Sequence, residues 1–339
     1  MAESKAARIA FVGAGHHATG ALYPNIAQIP EFDLVAVCDL VAEKARSAAR
    51  RFGSPESFSD VETMLDRVAP DGVCVCGPPE MHHAVSVQVL RRGIPVFTEK
   101  PPGLTCEQAQ ELAATARRTG TWGMVAFMKR FAPANVVAKE YMDRDDFGRL
   151  SSITLIHGCG PYDDPRRMLL FNGIHMLDLA RFFAGDVVEV FAHKAEGVGP
   201  TQAVCVSMKF GNGAAGQLNM NSGHSWSDCF EQTYISGTTV GIVIDSSRTT
   251  DVMSQGGRFA KGEGFQLFGW GSRYYVSGNM SVWEAGGHYT RGYCGELSHF
   301  ARAVLGQVEP IATLDDGVAA MRLIDCIMES VGSGAPVRL

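Results

Sequence analysis

The chain lacks most of the features that announce a membrane, secreted, metal-binding or nucleic-acid-binding protein. No apolar run reaches the roughly 20 residues that a membrane-spanning helix requires. The opening MAESKAAR enters an apolar segment at once and leaves no room for a signal-peptide core, so the cytoplasm is the expected compartment. Neither sign of charge forms a block. The 30 Lys and Arg against 36 Asp and Glu give a net charge of −6, and neither nucleic acid nor an anionic membrane is expected as a partner. The 9 cysteines are scattered, with no Cys-x-x-Cys. Cys38, Cys74, Cys76 and Cys205 sit in apolar runs, where thiols behave as small hydrophobes, so neither disulfides nor zinc are expected. There is no His-x-x-x-His, and the side chains of the adjacent pairs His16-His17 and His82-His83 diverge, so no metal is expected. No Gly-x-Ser-x-Gly elbow marks a serine hydrolase, and Lys129-Arg130-Phe131 is too short a run to bind nucleic acid.

What is present is a nucleotide-binding opening. In IAFVGAGHHATG an apolar strand over 8–12 breaks into Gly13-x-Gly15-x-x-Ala18, a helix is expected over 18–29, and a second strand over 34–38 ends in Asp39. Gly13 permits the tight turn and Gly15 lets backbone approach a pyrophosphate. Ala18 lets the helix lie close to the strand. An acidic side chain at 39 suits the free hydroxyls of an adenosine ribose and repels a 2′-phosphate. Leu40 follows where an arginine would greet that phosphate, although Lys44 and Arg46 lie on the next helix, and NAD is favoured over NADP.

With 339 residues the chain can bury two cores. Strands and amphipathic helices alternate as far as Phe127, the pattern of a doubly wound parallel sheet. Strands are expected over 72–76, 95–98 and 121–127, and helices over 80–92 and 106–119. Thr105 and Gln108 form a capping box for the second helix, and Gly93 and Gly120 follow the helix ends. Beyond 127 a short helix over 134–142, a strand over 150–157 and a helix over 172–184 precede strands over 187–195, 203–210, 214–221, 233–236 and 241–245. The fold class is therefore α/β: a Rossmann domain over 1–127, then a second domain over 128–339 with a largely antiparallel sheet, which the resemblance below implies to be an open sheet in an α/β domain. Helices over 293–305 and 314–331 close the chain, and the glycine-rich stretch 256–287 yields no pattern.

Two further groups carry chemistry. Glu99-Lys100-Pro101-Pro102 follows a parallel strand, which brings Lys100 out at the carboxyl edge of the sheet, where such folds bind ligands. A lysine beside a nicotinamide can hold negative charge developing on a substrate oxygen. Proline after it keeps Lys100 extended. In Asn172-x-x-His175-x-x-Asp178 steps of three place the side chains near one helical face, with Leu177, Leu179, Phe182 and Phe183 as apolar surface. Histidine suits proton exchange near neutrality, and Asp178 is expected to tie the helix to neighbouring backbone.

These residues resemble the Gfo/Idh/MocA oxidoreductases over nearly the whole chain. The resemblance rests on the glycine turn, Asp39, Gly77-Pro78-Pro79-Glu80-Met81-His82, Glu99-Lys100-Pro101, Lys129-Arg130-Phe131-x-Pro133, the helix with His175 and Asp178, and the ending LDDGVAAMRLIDCIMES. It implies an NAD- or NADP-binding Rossmann domain and a partner domain whose open sheet builds a homodimer or homotetramer. Lys100 and His175 are then the catalytic pair. Cofactor contacts are expected from Gly13, Gly15, His16, His17, Asp39, Gly77, Pro78, His82, Glu99 and Lys100. The implied reaction moves hydride between the nicotinamide and a secondary hydroxyl or carbonyl of a sugar, sugar derivative or cyclitol, with Lys129, Tyr162, Asn172 and His157 lining the substrate. Two alternatives are an oxidation, elimination and reduction cycle without net redox change, and an inactive nucleotide- or sugar-binding relative. One departure stands out: Phe171 occupies the position where many members carry an aspartate one turn before the histidine. His175 must then act alone, with Asn172, with a carboxylate of the Tyr162-Asp163-Asp164 loop, or with Asp178.

Overall fold

The computed structural model describes residues 6–224, 230–254, 261–262, 265–266, 270–275 and 287–339. The chain forms two compact units, Met1–Met128 with Gly292–Arg322, and Lys129–Arg291 with Leu323–Leu339. The first stretch thus ends one residue beyond 127, while the segment Gly292–Arg322 returns to it, which a reading of consecutive domains does not anticipate.

In the first unit, six parallel strands, β1 (Ala7–Val12), β2 (Phe32–Cys38), β3 (Glu56–Phe58), β4 (Gly72–Val75), β5 (Val96–Thr98) and β6 (Gly123–Val125), lie in the order 3-2-1-4-5-6. Their near-continuous apolar runs follow from helices covering both faces. Strand order reverses between β1 and β4, so the loops after β1, β4 and β5 cluster at the switch point where such sheets bind ligands. Helices α1 (Tyr23–Ile26), α2 (Ala42–Phe52), α3 (Val61–Val68), α4 (Pro79–Arg91) and α5 (Cys106–Thr119) alternate with the strands. Thr105 caps α5 by accepting the Gln108 N–H, and Gly120 ends it at φ +67°. The helix Tyr293–Val304 packs against the start of β4, where a side chain on Gly72 would come within 3.0 Å of Val304 and 3.1 Å of Phe300. Phe97 and Phe300 are fully buried there, each contributing about 1.5–3 kcal/mol relative to exposure.

The helix expected over 18–29 runs instead over 16–26 and is interrupted by a wide turn at Ala18–Leu22. Pro24 has no N–H to donate to the Gly20 carbonyl, and the Tyr23 N–H bonds the Ala18 carbonyl five residues back.

In the second unit nine strands form one sheet. They are β7 (Leu150–Gly158), β8 (Val187–Lys194), β9 (Ala203–Phe210), β10 (Ala215–Asn221), β11 (Phe230–Gly237), β12 (Val240–Asp245), β13 (Thr249–Ser254), β16 (Trp270–Tyr275) and β17 (Val337–Arg338). Their order is 16-13-12-11-7-10-9-8-17, and every neighbouring pair is antiparallel except β7 and β10. The short strands β14 (Lys261–Gly262) and β15 (Phe265–Gln266) pair separately. The rest of the stretch 256–287 lies outside the described residues apart from Gly287 and β16. Along β7, Ile153, Leu155 and His157 are buried on one face, where the helix Ile174–Ala184 packs. Gly173 permits that approach, since a Cβ there would lie 2.9 Å from both Leu169 and Met220.

Two buried ion pairs fix this inner face. Adjacent residues on the turn Met128–Phe131 diverge: Lys129 pairs with Glu231 on β11, and Arg130 grips Asp178 on the helix with Nε at 2.8 Å and Nη2 at 2.6 Å. Asp178 thereby ties its helix to the Arg130 fork, a side-chain partner that the sequence does not single out. Removing one partner leaves the other charge buried. Asp178→Asn is expected to lower stability by about 3–5 kcal/mol in chemical denaturation, and a loss below about 1 kcal/mol would place the pair in the solvated class.

Candidate active site

At the switch point of the first unit, three loops are tied to one another. The β1 loop lies on the β4 loop: Gly13 has φ +108°, and a Cβ there would sit 1.8 Å from the Cys76 carbonyl oxygen. Tyr23 donates from its hydroxyl to the Gly13 carbonyl at 3.0 Å, and burial holds that hydroxyl protonated. Around Gly15 the situation is the reverse, because a Cβ would meet nothing within 4 Å. No described protein atom demands a glycine there, whereas a closely approaching ligand would. Ala18 is fully buried against the strand, as its small side chain allows. Asp39 accepts the N–H of Ala14 at 2.8 Å and of Val41 at 2.9 Å, which orients its carboxylate at the end of β2. This cradle fits a dinucleotide.

The β1 loop reaches the β5 loop through His17, whose Nε2 lies 3.0 Å from Glu99 Oε1. The other Glu99 oxygen accepts the Lys100 N–H at 2.9 Å. Burial alone would raise the Glu99 carboxyl, but the charge and hydrogen bond of His17, with the Lys100 charge, hold it below the ordinary carboxylate range. Glu99 is thereby a buried anion directly beneath the lysine segment. His16, its neighbour, is exposed.

The β4 loop reaches the β5 loop through His82. The Gly77 N–H donates to Nε2 at 3.0 Å, and Nδ1 lies 2.9 Å from the Pro101 carbonyl oxygen. One partner can only donate and the other only accept, so both bonds form only for a neutral ring protonated on Nδ1. Burial pushes the His82 pKa down, against the pull of the Pro101 carbonyl and Glu99. His82 is 2% exposed with both nitrogens engaged, so the direct cofactor contact expected of it gives way to a tie between loops. Pro78 begins the helical turn as its N-cap, and the Lys100–Pro101 peptide is cis.

In the second unit, His175 sits in the first turn of the helix Ile174–Ala184 and is 6% exposed. Asn172 lies outside that helix in the wide turn Leu169–Gly173, where its Nδ2 donates to the Tyr162 hydroxyl at 2.6 Å. The expected face of Asn172, His175 and Asp178 on one regular helix is thus broken, because the wide turn changes the angular step. Burial lifts the Tyr162 hydroxyl to about 12. Lys129, expected to meet substrate, is 5% exposed and directs its ammonium to Glu231, whose other oxygen accepts from Ser247 Oγ at 3.0 Å. His157 Nδ1 is 3.7 Å from Glu231, beyond hydrogen-bond range, and burial followed by the Lys129 charge pushes its pKa down to about 4.

Two carboxylates escaped the sequence reading. Glu231 stands on β11 opposite His157, but the strand expected over 233–236 began two positions too late to place it inward. Glu296 lies on the same helix as the buried Leu297 and Phe300, a charge within an apolar stripe. It is 0% exposed and neither oxygen has a hydrogen-bond partner. Burial and then the Glu99 charge push its carboxyl well above the ordinary range, opposed by Lys100. Among the described residues, no group of three or more His, Cys, Asp or Glu could hold a metal ion, and no helix is long and apolar enough to cross a membrane.

Comparison with known proteins agrees with this architecture. Residues 7–127 match the description "Oxidoreductase family, NAD-binding Rossmann fold", and residues 167–339 match "Oxidoreductase family, C-terminal alpha/beta domain". The chain belongs to the Gfo/Idh/MocA family of oxidoreductases. It is 32% identical to D-glucoside 3-dehydrogenase of Escherichia coli (strain K12) over 58% of this chain, a match spanning 60% of that relative. It is 25% identical to scyllo-inositol 2-dehydrogenase (NAD(+)) of Bacillus subtilis (strain 168), over 93% of this chain and 91% of the relative. The fold is shared with a levoglucosan dehydrogenase solved with NADH and L-sorbose, at a TM-score of 0.83, 20% identity and 99% coverage of both chains.

The neutral Glu296 has a measurable consequence. Above pH 4.5 the unfolded carboxyl ionises while the folded one stays protonated, so unfolding releases a proton and stability falls by about 1.4 kcal/mol per pH unit until the folded group titrates. Glu296→Gln is expected to be more stable than the parent at neutral pH, with the gap closing as the pH falls toward 4.5. Thermal melts across that range check it, and a gap independent of pH would contradict it.

Proposed function

We propose that the protein catalyses reversible hydride transfer between NAD and a secondary hydroxyl of a sugar, sugar derivative or cyclitol. The observation that carries this reading is the cradle after β1. Gly13 is held against Cys76, Gly15 is open to a ligand and the Asp39 carboxylate is oriented by two backbone N–H groups, all at the edge from which Lys100 emerges. The bound dinucleotide supplies a ring carbon that accepts or returns hydride. The chain supplies position and proton handling. In the oxidative direction His175 Nε2 or Nδ1 takes the hydroxyl proton, and the Lys100 ammonium holds the developing negative oxygen; in reduction the roles reverse. Glu99, anchored by His17 and by the Lys100 N–H, fixes the backbone from which that ammonium projects.

The substrate class rests on the relatives that carry glucoside, inositol and levoglucosan in their names. Polar groups of the second unit, Tyr162 and Asn172, suit a polyhydroxylated ligand. Lys129 is read as a structural partner of Glu231 more than as a substrate contact, because its charge is already compensated. NAD is preferred over NADP because the Asp39 carboxylate would repel a 2′-phosphate. The outer face of the second sheet supports self-association. Ile156, Phe191, Cys205 and Ser207 line a depression of about 290 Å³ there, and Phe230, Tyr234 and Met253 leave apolar surface exposed. A homo-oligomer of cytoplasmic enzyme is the assembly proposed.

Incubation with NAD and separately NADP against sugars, sugar acids, inositols and glycosides, following reduced nicotinamide, tests the reading. NAD is expected to bind at least about tenfold more tightly than NADP, a difference of about 1.4 kcal/mol. On the substrate so found, Lys100→Met is expected to lower turnover by roughly 10²–10³ while leaving NADH affinity nearly unchanged. Near-parental turnover in that variant would remove Lys100 from the mechanism.

A further inference from the structure

At the switch point His82 joins two loops through both of its ring nitrogens while being shut off from solvent. On one side it takes the N–H of Gly77, the first residue of the loop after Cys76. On the other it gives its proton to the carbonyl of Pro101, the residue directly after Lys100. Gly77 is packed tightly from below, since a Cβ there would lie 2.4 Å from Met81 Sδ. The imidazole therefore acts as a rigid strut whose length is set by the ring. One end defines where the β4 loop stands and the other where the lysine segment leaves β5.

We propose that His82 is a positioning residue whose two ring nitrogens act separately, Nε2 holding the Gly77 loop for the dinucleotide and Nδ1 holding Lys100 in its working position. This rests on the nicotinamide reading for the function of both loops. The strut itself is a property of this unit's own hydrogen bonds. A histidine kept only for packing would fill space equally well without either bond. The observed arrangement instead spends both nitrogens on backbone groups of the two loops and leaves neither for a ligand.

The two bonds can be removed one at a time. Counting bonds from Cα, the Gln amide oxygen falls where Nε2 sits, so His82→Gln keeps an acceptor for Gly77 and loses the donor to Pro101. The Asn amide nitrogen falls where Nδ1 sits, so His82→Asn keeps the donor to Pro101 and loses the acceptor for Gly77. The two readouts are the NADH dissociation constant by fluorescence titration, and the rate of Lys100 acetylation by acetic anhydride against exposed Lys44, measured by mass spectrometry. His82→Gln is expected to change Lys100 labelling by about fivefold or more, the equivalent of one net hydrogen bond, with NADH affinity within about twofold of the parent. His82→Asn is expected to show the opposite split. His82→Phe serves as the packing control and should move both.

Equal behaviour of the Gln and Asn variants, whether both parental or both impaired alike, would overturn the proposal. If the parent fails to bind NADH yet Lys100 labelling still separates the two variants, the strut stands and the cofactor reading falls. If the parent binds NADH and the variants do not separate, the cofactor reading stands and the strut falls.

Discussion

Everything at the candidate site depends on how closely the β1 turn lies upon the β4 strand end. With a Cβ at Gly13 placed 1.8 Å from the Cys76 carbonyl oxygen, no side chain can exist there while the two loops keep their places. From that contact the other ties follow. Tyr23 secures the Gly13 carbonyl, His17 carries the β1 loop to Glu99, and His82 carries the β4 loop to Pro101. Each pair of loops among the three is joined, which closes a triangle around the point where strand order reverses. A cluster joined on all sides loses little further freedom when a ligand arrives, and such preorganisation favours binding.

The electrostatics of the first unit are arranged in depth. Glu99 remains an anion under burial because His17 and the Lys100 backbone meet its two oxygens. A second anion beside it would be repelled, and Glu296 responds by holding its proton. The region around Lys100 thus carries one fixed negative charge and one neutral acid, instead of two competing carboxylates. In the second unit the same economy appears as paired charges: Lys129 with Glu231 and Arg130 with Asp178, consecutive residues gripping a strand and a helix. Asp178 meets that fork with both of its oxygens, at 2.8 and 2.6 Å.

Much of the fold was legible because it is written in local patterns. The parallel strands appear as apolar runs, α5 as a capping box with a terminal glycine, and β9 as strict alternation of buried and exposed residues. The failures also have local causes. Pro24 changes the hydrogen-bond step of the first helix, and the wide turn at Leu169–Gly173 swings Asn172 toward Tyr162. Neither can be read from a regular period of 3.6. The return of Gly292–Arg322 to the first unit depends on tertiary packing of Phe300 and Val304 on Gly72, which no linear motif encodes. Glu231 and the strut role of His82 were hidden for a related reason: each is defined by a partner distant in sequence, Lys129 in one case and Pro101 in the other.

The central claim is that the turn after β1 is shaped for a dinucleotide, and Gly15 separates that claim from folding. A Cβ at 15 meets no described protein atom within 4 Å, so Gly15→Ala should melt with the parent protein. Calorimetric titration of NADH into both proteins is the direct measurement. Affinity should fall by more than about tenfold in a variant that remains folded, and a variant that folds and binds NADH as tightly as the parent would contradict the account.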